Sequence, residues 1–168
     1  MTQLSEFRRQ KDRFFALNSQ SPLSPDQKRA FRGLNYFPKN AELRMEVQVE
    51  PFPQKDIIQM QTSTGGVQRY TRYGKFKFVV EGQLVELTIY ASQNGFFLPF
   101  VDSLAGTETY SAGRYLEPEH LGGNRFLVDF NLAYNPYCAY NDQWTCPLTP
   151  AENRLPVPIR AGEKLFHT

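Results

Sequence analysis

Two polar segments in the second half of the chain carry the residue types that could do chemistry. The first runs from 102 to 114 and the second from 129 to 146. Carboxylates, a guanidinium, phenols and amides are the groups that orient a small polar or anionic ligand in a pocket. A ligand site between the two segments is therefore predicted to contain Asp102, Tyr110, Arg114, Asp129, Asn131, Tyr134 and Asn135.

Arg114 is the only arginine of the first segment, and its planar fork can bind a carboxylate or phosphate through two hydrogen bonds. In this interpretation Asp102 and Asp129 orient the ligand, while Tyr110 and Tyr134 supply walls and hydroxyls. The alternative is an internal ion pair between Arg114 and an aspartate that ties loops to the body, because buried charges usually pair inside the protein. Both interpretations stay open at the level of sequence.

The asparagines of the second segment have structural alternatives as well. Asn135 precedes Pro136, a pair that is also typical of an ordinary turn. Asn131 follows Asp129 at the end of a predicted strand, where a pocket and a structural role are equally good hypotheses. The stretch that begins at Gly106 could bind an anion through its backbone or form a turn, and it lacks the nucleotide-binding patterns.

Two other functional classes are compatible with the same residues. A carboxylate-dependent hydrolase or lyase would use Asp102, Glu108 or Asp129, with Arg114 stabilising the developing charge. A structural or interaction module without catalysis would use the polar residues only to hold the loops. The GxSxG motif is absent, and His120 lies in a predicted exposed turn, so no catalytic residue is assigned.

Cys138 and Cys146 are the only cysteines, and seven residues separate them. This is not the spacing of a zinc knuckle. Two buried free thiols are expected, with a disulfide that closes the loop as the alternative. The sequence predicts no metal site and no cofactor.

Length and charge limit the remaining classes. A chain of 168 residues is predicted to form a single domain over 1–168. The net charge is +2, and the +5 carried by residues 1–44 is interpreted as a solvated or docked helix face, so no nucleic-acid partner is expected. No apolar run approaches the ~20 residues of a membrane span, and no leader is visible, so a cytoplasmic protein without membrane contact is predicted. The oligomeric state stays open.

The N-terminal segment 1–33 is predicted to be helical. Apolar residues at helical spacing indicate an amphipathic helix over about 4–17. Ser24 and Gln27 form a capping box around Pro25, which predicts a second, short helix near 25–32.

The body, residues 40–168, changes to the alternating pattern of half-buried strands. Strands are predicted at 42–50, around 57–60, and at 67–73, 75–80, 84–90, 96–101, 125–130 and 155–160. Short spacings without crossover helices favour a mainly β fold, an antiparallel β-barrel or sandwich with two N-terminal α-helices covering one end or edge. Residues 131–158 hold five of the twelve prolines and are predicted to form a long irregular loop.

Two long motifs stand out in the polar segments, TYxxGRYL over residues 109–116 and DFNxAYNPxC over residues 129–138. With them, roughly residues 30–164 resemble a bacterial family of uncharacterised proteins, the domain-of-unknown-function 1684 family. Tyr137 and Thr149 stand where members often have proline. The resemblance implies no established activity, and the site therefore has to be argued from its own residues.

Overall fold

The computed structural model describes residues 2–167 of the chain. This part contains two α-helices, α1 (Gln3–Leu17) and α2 (Pro25–Ala30), followed by nine β-strands and four short 3-10 turns. The strands are β1 (Arg44–Gln48), β2 (Glu50–Pro51), β3 (Ile57–Gln61), β4 (Val67–Val80), β5 (Gln83–Ser92), β6 (Gly95–Phe100), β7 (Arg114–Leu116), β8 (Glu119–Gly122) and β9 (Arg125–Asp129). None of the helices described is long and apolar enough to cross a membrane.

Both predicted helices are confirmed, and the capping box explains where α2 begins. The Ser24 hydroxyl accepts the Gln27 N–H at 3.2 Å, and the Gln27 side chain accepts the Ser24 N–H at 2.8 Å. Pro25 takes the first helical position, where its missing N–H costs nothing. The helix ends at Ala30, because Phe31 already has an extended backbone.

The strands form two antiparallel sheets. One has the order β1-β9-β8, and the other has the order β2-β4-β5-β6-β7 with β3 also paired to β4. Neither sheet closes on itself within residues 2–167. Of the two predicted architectures the sandwich is therefore the one that fits.

The main apolar core draws residues from both sheets. Phe126 and Val128 of β9 contribute from the smaller sheet, and Leu87 and Ile89 of β5 contribute from the larger one. All four are completely buried. Residues two apart share a face of a strand, so the alternation in the sequence places them on the same side. This core lies beneath the polar segments and fixes the strands from which those segments emerge.

Two predicted strands, 67–73 and 75–80, are one continuous strand, β4. The pairing with β5 shifts register between Arg72 and Gly74, which marks an irregularity and not an end. A side chain at Gly74 would lie 2.7 Å from a methyl group of Val49 and 2.8 Å from the carbonyl of Glu50. The glycine is therefore needed for the close approach of the neighbouring strand.

The predicted strand 155–160 is wrong. Its apolar residues alternate and are buried, but the segment has no strand pairing beyond isolated bonds to the end of β6 and the residues after it. Leu155 donates to Val101 at 2.7 Å, and Ser103 donates to Val157 at 3.0 Å. Pro156 and Pro158 have no N–H to donate, so a regular ladder cannot form.

The C-terminal half of helix α1 packs on the long irregular loop, and its first residues border a cleft with β1 and β9. Phe15 is buried against Tyr140, with ring centroids 4.9 Å apart, and Lys11 forms an ion pair with the buried carboxylate of Glu163. Phe7, near the start of the helix, stays 42% exposed. The loop over 131–158 is irregular as predicted, and these aromatic contacts help to hold it in place.

Glu152 ties this loop to β4 and β5. Its carboxylate accepts hydrogen bonds from Arg72, at 2.9 to 3.1 Å, and from the hydroxyl of Tyr90. Burial acts to raise the pKa of Glu152, but the bonds from Arg72 and Tyr90 outweigh it and leave that pKa below its ordinary value.

This lowered pKa predicts a loss of stability in acid. The ionised Glu152 carboxylate stabilises the folded state fully above the ordinary pKa of a glutamate, about 4.3. This stabilisation is lost as the pH falls through the lower pKa of the folded state. Because the pair is partly exposed, its size is about 1 kcal/mol. Urea unfolding at pH 7 and pH 3 should show a smaller pH dependence for Glu152→Gln than for the wild type. Adding Arg72→Gln to Glu152→Gln should lower the free energy of unfolding little further. Fully additive losses from the two substitutions would contradict the coupling between these side chains.

Candidate functional site

Arg114 begins β7 and is completely buried, with 1% of its surface exposed. Its guanidinium donates to the backbone carbonyls of Ile159, Ala161 and Glu163, at 2.8 Å to Ile159 and 3.0 Å to Glu163. Burial lowers the pKa of Arg114 to about 10, partly offset by Asp102 and Glu163, so the side chain stays charged at neutral pH. The positive charge therefore faces the chain's own C-terminal segment.

Asp102 completes this buried network. One of its carboxylate oxygens lies 3.5 Å from Arg114 and accepts the Ile159 N–H at 2.8 Å. The other accepts the hydroxyl of Thr109 at 2.7 Å. The geometry thus favours the internal ion pair over the ligand clamp, because every oxygen of Asp102 and both terminal nitrogens of Arg114 have protein partners.

Asp129 and Asn131 are brought together, away from Arg114's partners. The Asp129 carboxylate accepts the backbone and side-chain N–H groups of Asn131, and the Asn131 amide exchanges two hydrogen bonds with the backbone of Asn40. Arg44 lies 3.6 Å from the second Asp129 oxygen. This pair fastens the segment before β1 to the end of β9.

Asn135 also holds the loop. Its amide donates to Lys164 at 3.0 Å, and its backbone N–H donates to the carboxylate of Glu163. Glu108 pairs with Arg160 at 3.4 Å on the surface. The three carboxylates of the enzyme hypothesis, Asp102, Glu108 and Asp129, are thus each engaged by a different set of partners.

The two predicted tyrosines lie where the 102–114 and 129–146 segments do meet. Tyr110 donates its hydroxyl to the sulfur of Cys138 at 3.7 Å. Tyr134 exchanges backbone hydrogen bonds with Tyr115, at 2.8 and 3.0 Å, and its hydroxyl donates to the carboxylate of Glu117. The two segments therefore do contact each other, and aromatic residues lie at the contact.

A cleft of about 270 Å³ opens beside this meeting point. Four of its rings form a continuous series: Tyr70 stacks on Phe97 at 5.2 Å, Phe97 meets Tyr115 at 4.9 Å, and Tyr115 meets Tyr134 at 5.9 Å between centroids. We call these four rings and Glu117 the aromatic cleft. The sequence predicted only Tyr134 here, although Tyr115 and Glu117 lie one and three residues after Arg114 in the chain.

Glu117 is the only charged residue that lines the aromatic cleft in the part of the chain described. Its side chain is exposed and has no ion-pair partner among residues 2–167. Burial raises the pKa of Tyr134 above its ordinary value, with Glu117 adding to the effect, and this keeps the hydroxyl protonated as a donor. The cleft thus combines electron-rich rings with a negative charge.

The two cysteines lie next to the aromatic cleft as free thiols. Cys146 is buried and Cys138 is half-buried. In residues 2–167, groups of three or more Cys, His, Asp or Glu arranged to hold a metal ion are absent. His120 is far from a catalytic arrangement in this structure: it lies in β8, contacts the carbonyl of Gly123 at 2.8 Å and stacks on Phe126.

Comparison with known proteins supports the resemblance seen in the motifs. A family model described as "Protein of unknown function (DUF1684)" matches residues 29–164. The solution NMR structure of an uncharacterized protein from gene locus rrnAC0354 of Haloarcula marismortui is similar, with 35% identity over 98% of this chain and 95% of that chain and a TM-score of 0.73. No curated protein matches. The motifs therefore led to the right family, and the chain belongs to the DUF1684 family of proteins of unknown function.

Proposed function

We propose that this protein binds a small organic cation in the aromatic cleft. The observation that carries the proposal is the placement of the unpaired Glu117 carboxylate beside the rings of Tyr115 and Tyr134. The faces of aromatic rings attract cations, and a nearby carboxylate adds a direct charge interaction. The sequence predicts a polar or anionic ligand between the 102–114 and 129–146 segments. Of the residues predicted for that site only Tyr134 lines the aromatic cleft, and the charge of the cleft favours a cation instead.

The size of the cleft limits the ligand. Small-molecule sites usually begin at about 300 Å³, so 270 Å³ fits a small amine or quaternary ammonium with a compact apolar body. Lys11 lies over the Tyr134 ring, 5.0 Å from its centre, and is a cation that would compete with the ligand. Its charge is compensated by the buried Glu163, which leaves the charge of Glu117 available.

The buried residues Arg114 and Asn135 support the aromatic cleft indirectly, because each fixes the backbone next to one of its tyrosines. Arg114 fixes the start of β7, and the next residue, Tyr115, supplies a ring of the cleft. Asn135 fixes the loop directly after Tyr134. The network of Arg114 and Asp102 would then be a positioning framework, and the ligand would contact the residues that follow it.

The test is a titration with benzyltrimethylammonium, followed by NMR of the backbone amides. We expect saturable shifts at Glu117 and Tyr134, and weaker or no shifts with benzoate, which has the opposite charge. Glu117→Gln should lower the affinity about fivefold, because an exposed charge interaction contributes about 1 kcal/mol.

Glu119→Gln is the matched control, since Glu119 is an exposed glutamate two residues further along that does not line the cleft. It should bind like the wild type. Equal binding of benzoate, or the same loss in both glutamate variants, would contradict a cation site at Glu117. The cytoplasmic location and bacterial origin that the sequence suggests stay predictions.

A further inference from the structure

Cys138 and Cys146 are brought into contact by the fold of the long loop. The Cys138 N–H donates to the sulfur of Cys146 at 3.4 Å. A 3-10 turn at Tyr137–Ala139 bends the chain back, and the Trp144 indole anchors the loop by donating to the carbonyl of Pro22 at 3.1 Å. The seven residues between the cysteines therefore form a closed loop with a thiol at each end.

The turn after β3 holds Cys146 from the other side. Ser63 donates its backbone N–H to the Cys146 carbonyl at 2.9 Å, and the Ser63 hydroxyl accepts the Cys146 N–H at 3.2 Å. The backbone of Cys146 is thus bonded on both its donor and its acceptor. Only its thiol is left to interact with Cys138.

The surroundings of Cys138 favour its thiolate. The pKa of Cys138 is lowered to about 6, and the neighbouring Cys146 thiol is the largest cause of this shift. Burial opposes the shift, and Tyr110 and Ser63 assist it. Burial raises the pKa of Tyr110 to about 12, so its hydroxyl remains a donor at neutral pH. The titratable groups that face the thiols are Tyr110 and Tyr115, both protonated.

The two cysteines have different positions with respect to solvent and charge. Cys138 is the more exposed, and the pKa of Cys146 is raised, chiefly by its hydrogen bond to Cys138 and by burial. A half-exposed thiolate beside a buried thiol is the arrangement in which one sulfur reacts first and the other follows.

We propose that Cys138 and Cys146 form a peroxide-reactive dithiol, in which Cys138 is the nucleophile and Cys146 the resolving thiol. The Cys138 thiolate attacks one oxygen of a hydroperoxide, the O–O bond breaks, and the leaving oxygen takes up a proton to become water or an alcohol. Cys138 is then a sulfenic acid. The Cys146 sulfur attacks it, the S–O bond breaks, and the hydroxyl leaves as water with the Cys146 proton. The two thiols are oxidised to one disulfide, and one peroxide is reduced.

Mass spectrometry of the wild-type protein tests the sequence of events. Exposure to hydrogen peroxide should remove both free thiols and lower the monomer mass by two hydrogen atoms. A short exposure in the presence of dimedone, which traps sulfenic acids, should label Cys138 and not Cys146. Dimedone label on Cys146 alone would overturn the proposal. So would two free thiols in the folded protein after a peroxide treatment that oxidises the thiols of the urea-unfolded chain.

Variants assign the two roles. Cys146→Ser should still form the sulfenic acid at Cys138 but no disulfide within the chain. Cys138→Ser should slow the loss of the remaining thiol about tenfold or more, because Cys146 is buried. Equal rates of loss in the two single variants would overturn the assignment of the nucleophile.

The pH dependence gives a measurement that a merely structural thiol would not show. Alkylation of Cys138 by iodoacetamide should be half-maximal near the pKa of about 6, since only the thiolate reacts. Tyr110→Phe removes one donor to the sulfur and should move this midpoint to higher pH. A wild-type midpoint at the ordinary pKa of a cysteine, unmoved by Tyr110→Phe, would contradict the proposal.

Discussion

Arg114→Ala is expected to lower the free energy of unfolding by about 3–5 kcal/mol, the usual cost of breaking a buried ion pair. The variant leaves the Asp102 carboxylate buried without its cation. It also leaves the carbonyls of Ile159, Ala161 and Glu163 without the guanidinium that binds them. Most small domains are stable by only 5–15 kcal/mol, so the variant should lose a large share of its stability. Urea unfolding followed by far-UV circular dichroism measures the difference.

Arg125→Ala is the control for this experiment. Arg125 pairs with Glu46 across β9 and β1, but half of each side chain is exposed to solvent. Such pairs contribute about 0–1 kcal/mol, so this variant should unfold close to the wild type. Similar losses in the two arginine variants would mean that the buried network around Arg114 contributes no more than a surface pair.

Arg114→Lys separates the framework from a ligand clamp. Lysine keeps the charge but cannot bind three carbonyls with one planar fork, so an intermediate loss of stability is expected. The folded fraction should bind benzyltrimethylammonium with unchanged affinity, because Arg114 is not a lining residue of the aromatic cleft. The clamp hypothesis would be restored if the wild type bound benzoate and a folded Arg114→Lys protein did not, because a guanidinium clamp holds an anion.

Local signals in the sequence were sufficient for most of the fold. The capping box at Ser24 predicted the start of α2, and the alternation over 84–90 predicted β5. These signals depend only on neighbours in the chain. The same kind of signal failed at 155–160, where alternation predicted a strand and the prolines prevented one. The short strands β7 and β8, with three and four residues, are too brief for a period to be recognised.

The sequence predicted one residue of the aromatic cleft, Tyr134, and not the others that line it. The sequence identified the two segments that meet. The residue type of Asp102, however, does not distinguish a ligand contact from an ion pair with a buried arginine. Its role depends on Ile159 and Thr109, and the first of these is far away in the chain. Tyr70 and Phe97 enter the aromatic cleft only because β4, β5 and β6 pair in one register. Long-range contacts of this kind leave no periodic signal in the sequence.

Asn153 shows how a residue without any local signal can be essential for a sheet. The ladder between β5 and β6 pairs Tyr90 with Phe97, and the next hydrogen-bonded pair in that register would be Thr88 with Pro99. Pro99 has no N–H, so this pair cannot form its second bond. The buried side chain of Asn153 inserts here: it accepts the Thr88 N–H and donates to the carbonyls of Thr88 and Pro99, each at 2.8 Å. The amide thereby replaces the missing rung of the ladder.

Asn153→Ala is therefore expected to lower the free energy of unfolding by about 3–5 kcal/mol, because three buried backbone groups lose their partners at about 1–3 kcal/mol each. Urea unfolding measures the loss, and amide hydrogen exchange at Thr88 should accelerate with it. Asn124→Ala is the control, since Asn124 lies in an exposed turn and should change stability by less than about 0.5 kcal/mol. An Asn153→Ala protein with wild-type stability and unchanged protection at Thr88 would show that water can satisfy this gap in the sheet. The gap would then be a tolerated defect, and the loop around Asn153 would be held by its other contacts, from Glu152 to Arg72 and from the backbone of Leu155 to Val101.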